Sequence, residues 1–200
     1  MEINGASGGK FPVSRKEEIL RAAEKLFSRK GYEAASMRDL ADELRLKPPS
    51  LYSHYPSKED ILWEIAIRCA QEFHARMLPL AADESRNPDA RLAAMVHMHI
   101  ELIIENVDAA AIFFKEWRRL EEPKRSQYAE MIQIYEGAFT QVLRQGIETG
   151  LFRPVTPTFT TLMLLNTANW IHRWYYPGGS MSLADISEEC TAFILAGLRP

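Results

Sequence analysis

Three helix starts crowd into residues 36–60, SMRDLADELRLKPPSLYSHYPSKED, and that density restricts the fold more than any other feature of the chain. Ser36 offers its hydroxyl to an orphan backbone N–H, and Asp39 three residues on completes a capping-box pattern. Met37, Leu40, Ala41 and Leu44 then share one helical face. Arg45, Leu46 and Lys47 make a turn. Pro48 and Pro49 suit the first helical positions, where a missing N–H costs nothing and φ is already helical, so a second helix is expected from Pro49 to Tyr55. Pro56 stops it, since proline disfavours helix in the residue before it, and Ser57 with Asp60 caps the next. Two short helices across a tight turn result, the shape of a helix-turn-helix.

Helical punctuation continues on both sides. Ser14 and Glu17 form another capping box, followed by Ile19, Leu20, Ala23, Leu26 and Phe27 at helical spacing and by Gly31 as a C-cap. Tyr32 is expected in the core. After the motif, Ile61, Leu62, Ile65, Ala66, Cys69, Phe73 and Met77 continue one stripe to Pro79, a long helix that joins two domains. Asn87 and Pro88 open a helix that is apolar nearly all round, Asp108 caps the next, and residues 124–149 form a long amphipathic one closed by Gly150. Gly137 and Gly146 within it suit close helix approach. A helix from Pro157 to Tyr176 and one capped by Ser182 and Asp185 make a C-terminal hairpin. The pattern is all-α with about nine helices. Residues 1–13 read as a flexible arm, 14–56 as the helix-turn-helix unit, 57–79 as a connecting helix and 80–200 as a second helical domain.

Composition removes several function classes. The chain has 200 residues, a net charge of −3 and a pI near 6.0, so bulk positive charge does not mark it for nucleic acid. Residues 1–78 carry 13 Lys/Arg against 12 Asp/Glu, a net of +1 that leaves −4 for the rest. Placement of Lys47 and Lys58 beside the second short helix matters more than that total. Cys69 and Cys190 sit far apart in apolar helical patterns, as buried thiols in a reducing compartment do. No apolar run is long enough for a membrane span and the N-terminus lacks a signal-peptide layout, so a cytoplasmic location is expected. His97 and His99 are two apart, which points them to different sides of a helix, so no metal site is expected. There is no Gly-rich phosphate loop, nucleophile elbow or paired-carboxylate motif, so neither catalysis nor a cofactor is expected.

LADEL, a turn, then SLYSHYPSKEDIL resembles the signature of the TetR family of transcriptional regulators. The likeness covers roughly residues 14–62 and is architectural beyond them. It implies a three-helix DNA-binding domain, a larger ligand-binding domain, and a homodimer through roughly residues 156–198. Phosphates would then be held by Ser36, Arg38, Tyr52, His54 and Lys58 through hydroxyl, guanidinium, imidazole and ammonium groups. Lys47, Pro48, Pro49, Ser50 and Ser53 would meet the major groove of a pseudo-palindromic operator. The double proline departs from the small or polar residues commoner there.

The segment LNTANWIHRWYYPGG resembles the corresponding region of family members that sense acyl-coenzyme A thioesters. Met98, Leu102, Phe113, Trp117, Met131, Tyr135, Trp170 and Arg173 are the candidate ligand residues, with Arg173 for a phosphate or carboxylate. The function implied is a repressor released from its operator by a small apolar effector. A helical interaction or ligand-binding module without DNA binding is the alternative.

Overall fold

The structure, a computed structural model, describes residues 14–176 and 178–200, with the backbone alone at Phe113. The expected arm, residues 1–13, lies outside the described residues. Among those described there are nine α-helices and two short 3-10 turns, with no strand. The helices are α1 (Arg15–Lys30), α2 (Met37–Glu43), α3 (Pro48–Tyr52), α4 (Lys58–Ala81), α5 (Pro88–Glu105), α6 (Val107–Glu116), α7 (Lys124–Glu148), α8 (Pro157–Asn169) and α9 (Leu183–Ala196).

Caps set most of these boundaries. Ser14, Ser36, Ser57, Asn87 and Ser182 each accept a hydrogen bond from a backbone N–H inside the helix that follows. Gly31, with φ of 83°, closes α1. Four boundaries differ from the pattern. Pro48 takes a first-turn position, and α3 is only five residues long because the chain leaves the helix at Ser53, ahead of Pro56. The connecting helix runs past Pro79 to Ala81, since a proline so near the end forfeits a single N–H bond. Asn106, not Asp108, precedes α6 and supplies no side-chain cap. Residues 170–173 tighten into a 3-10 turn, so α8 ends at Asn169 well before Tyr176. Of the two glycines expected to ease helix approach, Gly146 lies against the Phe152 ring and Gly137 has open space beside it.

Two cores share one long helix. Ile61, Leu62, Ile65, Ala66 and Ala70 of α4 pack with Ile19, Leu20, Phe27, Leu40, Leu51 and Tyr55. Further along α4, Cys69, Phe73 and Met77 pack with α5, α7, α8 and α9. The N-terminal core also takes in Ile112, Leu120 and Tyr128 from the larger domain, so the two units meet over a wider surface than α4 alone.

Candidate nucleic-acid interface and effector cavity

The helix-turn-helix surface follows from two buried residues. Leu51 is fully buried and Tyr55 nearly so, and these two anchor α3 while Lys47, Pro48, Pro49, Ser50, Tyr52 and Ser53 face outward. Tyr55 donates its hydroxyl hydrogen to Glu64 at 2.9 Å, a core role. Arg45 holds the turn with φ of 55°, and its exposed side chain adds a cation that sequence reasoning treated as turn only.

Donor accounting separates the predicted phosphate and base contacts. A phosphate oxygen needs a donor, and three predicted residues have theirs engaged. Ser36 donates to Asp39 at 2.6 Å while accepting from the Asp39 N–H. That hydroxyl, with Lys30, holds the Asp39 carboxyl below its ordinary range. Ser53 donates to the Ser50 carbonyl at 2.8 Å. Lys58 donates to the carbonyls of Tyr32, Ala35 and Glu33 at 2.8, 2.9 and 3.4 Å, and its ammonium lies 4.2 Å from the Tyr32 ring centroid. The ammonium of Lys58, expected at a phosphate, has three N–H groups, and in this structure all three close the α1–α2 connection onto α4. Among the described residues no partner takes the side-chain donors of Arg38, Lys47, Ser50, Tyr52 and His54, and all but His54 are exposed.

A cavity of about 370 Å³ lies against α4, bounded by α6, α7 and α8. That volume is within the ordinary range for small-molecule sites. Of the candidate ligand residues, Trp117, Met131, Tyr135 and Trp170 line it. Leu102 is instead fully buried in the larger core, Met98 packs against that core, and the Phe113 side chain lies outside the described residues. Arg173 is not in the lining; its guanidinium stacks 5.1 Å from the Trp170 ring. An apolar helix such as α5 does not reveal which of its faces meets a void.

The polar lining is the part that sequence reasoning missed. His99 is almost fully buried, with Nδ1 2.7 Å from the Tyr135 hydroxyl and Nε2 2.9 Å from Asn169 Oδ1. His74 of α4 stacks on the Tyr135 ring and donates through Nε2 to the Met131 carbonyl at 2.8 Å. Arg118 lies over Trp117 at the cavity edge, 4.7 Å from its ring. The one signal in the sequence was the presence of His97 and His99 inside a largely apolar helix.

Burial pushes the His99 imidazole down to about 4. A depressed histidine binds its proton more readily unfolded than folded, so its contribution to stability is full above about pH 6.5 and fades as pH falls toward 4. Urea titrations across that window are expected to show a steeper loss for the native chain than for His99→Gln. Parallel curves would remove His99 as the cause.

An all-helical chain with a helix-turn-helix face at one end and a cavity against the helix that bears it defines a class of two-part regulatory proteins. Residues 19–65 match the family described as bacterial regulatory proteins, tetR family, and residues 85–198 match the tetracyclin repressor-like C-terminal domain. The chain belongs to the TetR family. It is 30% identical over 187 residues to the HTH-type transcriptional repressor KstR2 of Mycobacterium tuberculosis, spanning 92% of this chain and 93% of that protein. The solved structure of that ketosteroid transcriptional regulator superposes with a TM-score of 0.88 at 29% identity, covering 96% of this chain and 98% of the other. The structure of AibR in complex with isovaleryl coenzyme A and operator DNA aligns with a TM-score of 0.81 at 27% identity, covering 94% and 99%. Among the described residues no helix is long and apolar enough to cross a membrane.

Proposed function

We propose that this chain is a cytoplasmic, sequence-specific DNA-binding repressor, without catalytic activity, that leaves a pseudo-palindromic operator when a small apolar effector fills the cavity beside α4. The observation that carries the reading is the outward row on α3, with Lys47, Ser50 and Tyr52 over a fully buried Leu51. Arg38, Arg45, Tyr52 and His54 would anchor phosphates, and Lys47, Ser50 and the two prolines would meet base edges. Two copies would place their α3 helices about 34 to 36 Å apart, one DNA turn.

The proposed dimer surface is the apolar face that α8 and α9 leave uncovered. Phe159, Met163 and Phe193 are 62%, 53% and 74% exposed, high values for residues of their type. The effector is placed as an acyl-coenzyme A thioester, the class named in the AibR complex, with its acyl part in the cavity and Arg118 near its phosphates.

The route from cavity to DNA face supports a switch. Trp117 and Arg118 line the cavity, and the next residues grip the DNA-binding unit. Arg119 pairs with Glu33, Leu120 enters the N-terminal core, the Glu121 N–H donates to Glu59 at 3.0 Å, and Lys124 pairs with Asp60 at 2.7 Å. A ligand that shifts Trp117 therefore pulls on both ends of the helix-turn-helix unit, in addition to any movement of α4.

The test is a gel shift on a duplex selected by the protein from a random pool. The affinity is expected to fall linearly with the logarithm of salt concentration and to weaken with isovaleryl-CoA. Failure to shift any selected duplex would favour a helical module without DNA binding. Glu33→Ala is expected to weaken duplex binding about fivefold, about 1 kcal/mol, because the Arg119–Glu33 pair is largely exposed while Arg119 keeps its bond to the buried Glu116. Glu33→Asp should keep most of the affinity; if Glu33→Ala binds as the native chain does, the pair is incidental.

A further inference from the structure

One wall of the cavity carries a hydrogen-bond donor that no described residue accepts from. His99 is buried and neutral, and a neutral imidazole has one N–H. With Asn169 Oδ1 at 2.9 Å from Nε2, that nitrogen bears the hydrogen. Nδ1 must then accept, and the Tyr135 hydroxyl 2.7 Å away donates to it. Each bond fixes the next, from α7 through α5 to the last residue of α8. Asn169 is therefore anchored by its oxygen.

The other half of that amide is free. Asn169 Nδ2 makes no hydrogen bond among the described residues, it is not among the buried unpartnered atoms and so is accessible, and Asn169 lines the cavity. Phe114, Trp117, Met131 and Leu165 supply the apolar part of the wall, and His74, Arg118, Glu136 and His172 also reach the cavity. Two N–H groups fixed in direction beside those apolar side chains suit an oxygen that accepts and brings no hydrogen of its own.

We propose that Asn169 is a specificity-determining residue of this cavity, and that the effector is an apolar molecule bearing a carbonyl oxygen, a ketone or thioester rather than a plain hydrocarbon. The inference rests on the cavity being the effector site. A ligand without that oxygen leaves the amide N–H groups dry and unpaired, which is how buried polar groups reject analogues that lack their partner.

The test uses acetophenone and ethylbenzene, which share a shape and differ by a carbonyl in place of a methylene. Equilibrium dialysis gives the ratio of their affinities, so general apolar partitioning cancels when variants are compared. Asn169→Leu and Asn169→Asp are each expected to lower the acetophenone preference at least tenfold relative to the native chain. The aspartate keeps an oxygen for His99 Nε2–H, so a shared loss in both variants isolates the missing donors from any disturbance of the histidine. An unchanged ratio in either variant, or a native chain that takes up neither probe, overturns the proposal. The same samples are tested on the selected duplex: a native chain that shifts DNA but takes neither probe sinks this inference alone. Uptake with the expected ratios and no DNA shift sinks the repressor reading alone.

Discussion

Met163→Asp combined with Phe193→Asp is expected to produce a folded monomer whose affinity for a two-half-site duplex is at least a hundredfold lower. Both side chains point out of the single chain, at 53% and 74% exposure, so replacing them removes little packing within it. In the proposed dimer each would be buried, and four unpaired carboxylates at one twofold interface would oppose association. Loss of the dimer removes the effective concentration that one bound half-site lends to the second, commonly worth 10² to 10⁴ in affinity. Sedimentation reads the mass and circular dichroism the helix content. A variant that stays dimeric, or a monomer that keeps full affinity, would place the operator-binding assembly on another surface.

That face shows where sequence patterning succeeds and where it stops. A hydrophobic stripe reports that a helix is covered and not by what: Leu164 and Leu165 are buried inside the chain while Phe159 and Met163 on the same helix are uncovered. Local signals were the most legible. The caps at Ser14, Ser36, Ser57, Asn87 and Ser182 were all readable, because a cap is settled by residues within one turn of itself. The end of α8 was not, since the tightening at residues 170–173 coincides with the tertiary hydrogen bond between Asn169 and His99. The cavity was half legible. Trp117, Met131, Tyr135 and Trp170 reach it, whereas His99 and Asn169 meet across 70 positions of sequence that no periodicity connects.

Lys58→Ala and Arg38→Ala are expected to fail in opposite ways. A cation on a phosphate releases counterions, so its removal lowers the slope of log affinity against log salt by about one. Arg38 is exposed at the start of α2 with no ion pair among the described residues, and its alanine variant should show that change with little loss of stability. Lys58 instead holds three carbonyls of the α1–α2 connection and lies over the Tyr32 ring. Charge-assisted bonds of this kind contribute about 1.5 to 3 kcal/mol each when partly buried, less where solvent screens them. The alanine variant should therefore lose about 2 kcal/mol in urea titrations, weaken duplex binding through a looser domain, and keep its salt slope. Lys58→Arg should not rescue it fully, because a planar fork cannot reproduce three carbonyl contacts made by a compact ammonium. If Lys58→Ala left stability untouched and lowered the slope, Lys58 would leave its carbonyls to meet a phosphate when DNA arrives, and the α1–α2 connection would be held by the Phe27–Tyr32 ring contact instead.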